Sequence, residues 1–442
     1  MPPAPIALRG RTLAFRDDPF RVGPEAAVET CDDGAVVIAE GKIVEVGQAS
    51  DVLPRHPGVE VETYGPDALI MAGFVDSHAH YPQLEIIGSY GEQLLEWLEK
   101  YTFPAETKYA DPQYARAGAE TYLDNCLANG VTTASVFSAT YPASVEALFD
   151  GAFARGMRIA SGKNMMDRNC PEPLRDTAQT GYDQSKALIE KWHGRGRITY
   201  AVTPRFAVTS SPEQMDAMGA LWREHPTTLM QTHLSENLAE IRWVGELYPD
   251  APDYLGAYEA YGLIGDGANF GHCIHLTERE IARLRETGSA ISHCPTSNAF
   301  IGSGLFDMKG LRDCDSPVRV GLATDIGGGS SMSMFDTMKA AYEIAQLRSY
   351  SLHPVKAFWL ATMGSAAALR MEGKVGNLAA GHEADVMVID LNSTPLIRRR
   401  MREVESLFEA LFVQMILGDD RAIRATYVAG RKLHDRDAAR HA

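Results

Sequence analysis

Ala68-Leu69-Ile70-Met71-Ala72-Gly73-Phe74-Val75-Asp76-Ser77-His78-Ala79-His80 is an apolar run that ends in two histidines spaced two residues apart. In a strand, residues i and i+2 share a face, so His78 and His80 project together from the strand end that this run predicts. Two imidazoles that converge in this way bind a metal when further donors meet them. The search for those donors leads downstream.

Apolar runs recur after His80, with helix-like stretches between them such as Pro212 to Glu224 and Thr277 to Thr287. The eight candidate strands end at His78/His80, Val136-Phe137, Ala160-Ser161, residues 202–206, residues 230–233, Phe270-Gly271-His272, Ile291-Ser292-His293 and residues 322–325. Alternating β and α units of this number predict an α/β fold, a (β/α)8 TIM-type barrel with its chemistry at the C-terminal strand ends. Both chain ends read differently. Residues 34–47 are two β-branched runs around Glu40-Gly41, a hairpin, and short strands return at residues 384–390 and 424–433. Neither end has enough strands for a core of its own, so the two are expected to join in one small β domain. The expected boundaries are 1–70 and 376–442 for the small domain and 71–375 for the barrel.

The chain has 442 residues, 45% of them hydrophobic, and a formal net charge of -16 spread along its length. Such a charge repels polyanions, which argues against DNA, RNA and anionic membrane surfaces as partners but not against a free nucleobase. The N-terminus lacks the apolar core of a signal peptide, and no run reaches membrane-spanning length. The six cysteines form no Cys-x-x-Cys pair, which excludes the usual thiolate zinc spacings and the cytidine-deaminase type of zinc site. A cytoplasmic enzyme is the expectation.

His233 ends the fifth run, Glu236 follows three residues later, His272 ends the sixth run and Asp325 the last. At the ends of barrel strands these side chains converge, and the expected metal ligands are His78, His80, His233 and Asp325, a nitrogen and oxygen set suited to Zn²⁺ or Fe²⁺. A divalent cation lowers the pKa of its water toward neutrality, so hydroxide forms without a strong protein base. Asp325 is then placed to hold that water and accept its proton, Glu236 to protonate a substrate ring nitrogen, and His272 to hydrogen-bond the attacking oxygen. His275 competes with His272 for that role, and His293 is read as holding its loop. Lys163, near the end of the third run, raises the alternative of a carbamylated lysine bridging two metals. Arg205 and Phe206 at the fourth run favour one metal.

At these residues the chain resembles the amidohydrolase superfamily and, within it, the guanine deaminases. The resemblance runs nearly the whole length and is carried by residues 73–83, which end in Tyr81-Pro82-Gln83, and by residues 91–98 and 101–106. Thr203-Pro204-Arg205-Phe206, Gln231-Thr232-His233-Leu234-Ser235-Glu236 and residues 321–329 carry the rest. Ala72 departs from the proline usual before this glycine, a change in the turn that leaves the ligands untouched. The resemblance implies one zinc per chain, a distorted barrel with a small β-sandwich built from both termini, homodimers, and hydrolysis of guanine to xanthine and ammonia. It also implies substrate contacts by Gln83, Arg205 and Phe206, together with His233, Glu236 and Asp325. An arginine fork donates to the acceptors of guanine, a glutamine amide both donates and accepts, and an aromatic face stacks on a purine. Two other readings use the same residues. Another metal-dependent deaminase or dechlorinase of nitrogen rings would keep the metal set and change the recognition residues, and a catalytically silent scaffold would show no turnover when loaded with metal.

Overall fold

The computed structural model describes residues 4–90 and 93–438; residues 91–92 of the quoted 91–98 stretch lie outside them. Eight parallel strands follow one another around a barrel: β1 (Phe74–His80), β2 (Val131–Phe137), β3 (Arg158–Gly162), β4 (Thr199–Pro204), β5 (Leu229–Leu234), β6 (Ala268–His272), β7 (Ala290–His293) and β8 (Arg319–Leu322). Each pairs in parallel with the next. Every residue of β1 and β2 is buried, which is why these strands read as continuous runs rather than as alternating ones. The barrel closes where β1 meets the end of β8. There Ser77 Oγ donates to the Leu322 carbonyl at 2.9 Å, and the Asp325 amide donates to the His78 carbonyl at 2.9 Å.

The helix signals are local. Ser211 caps Pro212–Glu224 by accepting from the Gln214 amide, with proline at the first helical position. Thr277 and Glu280 form the capping box of Glu278–Thr287. The ladder of β8 ends at Leu322, three residues before the sequence run does, and Asp325 turns away with φ 47°.

Strands from both chain ends build one eight-stranded mixed sheet. Its order is Arg431–Asp435, Ile423–Val428, Val386–Asp390, Ala68–Ala72, Ile6–Phe15, Val28–Ala39 and Lys42–Gln48, with Glu60–Thr63 beside Ile6–Phe15. The Glu40-Gly41 turn is a two-residue hairpin loop with both residues at positive φ, 52° and 76°. Strand parity divides the sheet's side chains. Ile70, Val386 and Val388 enter a small core of the sheet, whereas Leu69, Met71, Met387 and Ile389 point the other way and join the barrel core. The C-terminal stretch also holds the helix Leu407–Leu417, whose Leu411 and Met415 are part of the barrel core. Its sequence is nearly continuously apolar and carries no polar stripe to mark a helix.

Buried ion pairs fix the sheet to the bottom of the barrel. Arg197, just before β4, donates to Asp385 Oδ1 at 2.8 Å and lies 2.7 Å from Glu383 Oε2, while Arg158 at the start of β3 donates to Glu383 Oε2 at 2.9 Å. Asp385 is 1% exposed and also accepts from the Ala429 amide. Removing one member of a buried pair strands the other's charge, so Asp385→Ala is expected to destabilise by about 3 kcal/mol. Thermal unfolding should show a midpoint several degrees lower with the native circular dichroism spectrum retained before the transition. An unchanged midpoint would show that this pair does not hold the two parts together.

Candidate active site

β1 brings His78 Nε2 to 3.2 Å from His80 Nε2, and β5 brings His233 Nε2 to 3.1 Å from His80 Nε2. Asp325 Oδ1 lies 3.3 Å from both His78 Nε2 and His80 Nε2. A tetrahedral ion with bonds of about 2.0–2.1 Å has its donors about 3.3–3.4 Å apart, so these spacings fit a single divalent cation. The protonation states fit as well. His233 Nδ1 lies 2.6 Å from the Arg205 carbonyl, which only accepts, so Nδ1 carries the proton and Nε2 presents its lone pair. Burial drives the His80 pKa down to about 3 and that of His233 well below the ordinary value, which keeps both imidazoles neutral. Burial opposes charge on Asp325, yet its contacts with His78 and His80 hold the carboxylate well below its usual range. Cys294 Sγ stands close to His78, His272 and Asp325, but burial pushes its thiol far up, and a protonated thiol is a poor ligand.

The backbone at these strand ends is strained. Ser235, His272, Cys273 and Asp325 have φ of 49°, 69°, 54° and 47°, in the left-handed region that non-glycine residues rarely adopt. Gly271, beside His272, answers a need for space: a Cβ there would lie 2.7 Å from His78 Cε1.

Next to the donor cluster are two groups able to move protons, His272 and Glu236. His272 Nε2 is 3.3 Å from Glu236 Oε2 and 3.8 Å from Asp325 Oδ2. His272 Nδ1 lies 2.8 Å from Asn298 Oδ1, which makes Nδ1 the donor and leaves Nε2 as an acceptor. Ser303 Oγ donates to Glu236 Oε1 at 2.9 Å. Burial, reinforced by the Asp325 charge, pushes Glu236 up to about 8, so in this state its carboxyl is protonated at neutral pH. Glu240 accepts from the amides of Glu236 and Asn237, both at 3.1 Å, and serves as the capping-box residue of Leu238–Leu247. Glu236 therefore precedes the helix and is free of that task.

The other sequence candidates have separate places. His275 Nε2 bonds the Ser303 carbonyl at 2.8 Å, which turns it to bracing the loop behind Glu236. His293 stacks on Phe306 with ring centroids 4.2 Å apart. Lys163 is fully buried in an ion pair with Asp176. Asn298 and Ser303 carried no signal in the sequence, since their contacts with His272 and Glu236 span 26 and 67 residues.

His80, His233 and Asp325 of the donor cluster and the proton-handling groups open into one pocket with about 430 Å³ of empty space. Gln83, Trp97, Arg205, Phe206 and Ile301 line it together with His80, His233, Glu236, His272 and Asp325. Arg205, 2% exposed, donates from Nη1 to Glu106 Oε1 at 2.7 Å, so it is both ion-paired and part of the wall.

The Amidohydrolase family model matches residues 69–433. The chain belongs to that family. It is 47% identical over 422 residues to the guanine deaminase of Escherichia coli (strain K12), with 95% of each chain covered. The solved structure of E. coli guanine deaminase matches with a TM-score of 0.95, covering 98% of this chain and 100% of the other. A guanine deaminase from C. acetobutylicum, solved with guanine bound in its active site, is 28% identical with a TM-score of 0.86, covering 97% of this chain and 100% of its own.

Gly271→Ala tests the geometry without altering a donor atom. The new methyl would push the His78 ring, and metal affinity should fall about 10- to 100-fold, as for other changes that disturb how a ligand is held. Competition with a chromogenic chelator measures this, and wild-type affinity in the variant would mean that the His78 ring position does not govern the site.

Proposed function

We propose that this chain is a guanine deaminase, a zinc-dependent hydrolase that converts guanine and water to xanthine and ammonia. The observation that carries this reading is one pocket lined by His80, His233 and Asp325, with His78 grouped behind them, and by the Glu236–His272 and Arg205–Gln83 pairs. Identity of 47% to the E. coli guanine deaminase and the fold shared with a guanine-bound relative support the same substrate. When held by these donors, a divalent cation supplies the Lewis acidity that makes water a nucleophile near neutral pH.

The chain's own residues do the rest. Arg205 donates to the acceptors of the ring, Gln83 meets the ring edge, and Phe206, which is 4% exposed, gives the purine an aromatic face. His272 Nε2, left as an acceptor by the Asn298 contact, takes a hydrogen bond from the attacking water. As oxygen bonds to C2, Asp325 takes the proton of the water and Glu236 gives its own to the ring nitrogen. The C2–N bond then breaks. Asp325 passes its proton to the departing amine, which leaves as ammonia, and Glu236 recovers a proton from the new hydroxyl. The six free cysteines suit a reducing cytoplasm, and the homodimer implied by the sequence resemblance belongs to the same reading. No described helix is long and apolar enough to cross a membrane.

Ammonia release from guanine, adenine and cytosine by metal-analysed protein tests the proposal, with guanine expected to be turned over far faster than the others. Preference for a different ring would reassign the substrate, and no turnover by metal-loaded protein would mean a silent scaffold. Glu236→Gln keeps the size of the side chain and removes its proton transfer. Turnover of guanine should fall on the order of a hundredfold or more while metal content stays normal. Near-normal turnover would remove Glu236 from the mechanism.

A further inference from the structure

Glu106 lies on the short helix Phe103–Thr107 and is wholly buried. Its Oε1 accepts from Arg205 Nη1 at 2.7 Å and from Gln83 Nε2 at 3.2 Å. The other oxygen, Oε2, is buried with no hydrogen-bond partner among the described residues. One carboxylate oxygen thus joins the two polar side chains of the pocket's recognition wall. The same helix presents the Phe103 ring to the Arg205 guanidinium, 5.6 Å from centroid to Cζ, so both the charge and the face of the guanidinium are held by one element.

The chemistry of a carboxylate gives this contact a consequence. It accepts and cannot donate, so the Gln83 amide must turn its NH₂ toward Glu106, because the flipped amide would set oxygen against oxygen. Gln83 Oε1 then lies against Gly327, where a Cβ would come within 2.2 Å of it; that glycine, at φ 123°, leaves the amide room. The wall therefore presents a fixed acceptor from Gln83 beside the remaining donors of Arg205. A ring edge with an oxo group next to an N–H complements both, whereas a ring without the oxo group leaves buried Arg205 donors unmatched.

We propose that Glu106 is the positioning residue of the recognition pair, fixing the Arg205 fork and the Gln83 amide so that the enzyme selects an aminopurine carrying an oxo group beside a ring N–H. This rests on the guanine deaminase reading. The test compares guanine with 2-aminopurine, which has the same amine at C2 and lacks the oxo group, in wild type, Glu106→Gln and Glu106→Asp. Wild type should strongly prefer guanine. In Glu106→Gln, kcat/KM for guanine should fall on the order of a hundredfold, chiefly through KM, while that for 2-aminopurine changes less than about threefold and bound metal is unchanged. Glu106→Asp keeps the charge on a shorter arm, so it guards against a Gln variant that does not fold. Its preference for guanine should fall on the order of tenfold. A guanine to 2-aminopurine ratio equal to that of wild type in a folded variant, or equal losses on both substrates, would overturn the proposal. Absence of guanine turnover in wild type would instead remove the reading on which it rests.

Discussion

The Asp325 amide donates to the His78 carbonyl at 2.9 Å, and the distance between the first and last candidate metal donors in the chain depends on that hydrogen bond. Asp76 reinforces the seam by accepting from the Thr324 amide at 3.0 Å, the Thr324 hydroxyl and the His78 amide. Burial pushes the Asp76 carboxyl up to about 6 despite these donors, so the seam is built from a group that the interior accepts only while it is hydrogen-bonded. Barrel closure and the donor cluster are therefore one structural fact. A slip at this seam would open the sheet and spread the donors together.

The positive φ angles at His272 and Asp325 belong to the same constraint. A regular strand cannot aim side chains from several directions at one point, and the left-handed turns at these ends supply the missing angle. What surrounds the donors then divides the work. Asn298 fixes which His272 nitrogen carries the proton, and Ser303, braced by His275, holds the Glu236 carboxyl, so one segment beyond β7 sets the orientation of both. On the opposite wall Glu106 does the equivalent for Arg205 and Gln83. His272, Glu236, Arg205 and Gln83 are thus each held by a residue from another part of the chain.

Much of this could be read from the sequence where the physics is local. The parity of His78 and His80, the helix-like stretches from Pro212 to Glu224 and from Thr277 to Thr287, and the Glu40-Gly41 hairpin each depend on a few adjacent residues, and the structure has them as read. The terminal strands also joined in one sheet, as their small number required. Asn298, Ser303 and Glu106 escaped because each acts across a long stretch of chain on a partner that no short pattern announces. Leu407–Leu417 escaped for another reason. A helix covered by neighbours on most sides has no polar stripe, so its sequence loses the 3.6-residue period that identifies an amphipathic helix.

We propose that three imidazoles and one carboxylate hold one metal ion. X-ray absorption at the metal edge of the loaded protein tests it most directly. Nitrogen and oxygen neighbours at about 2.0–2.1 Å are expected, with the multiple scattering of histidine rings. A sulfur neighbour at about 2.3 Å would bring Cys294 into the site, and a second metal at about 3.5–4 Å would require a bridged pair. Either result would contradict it.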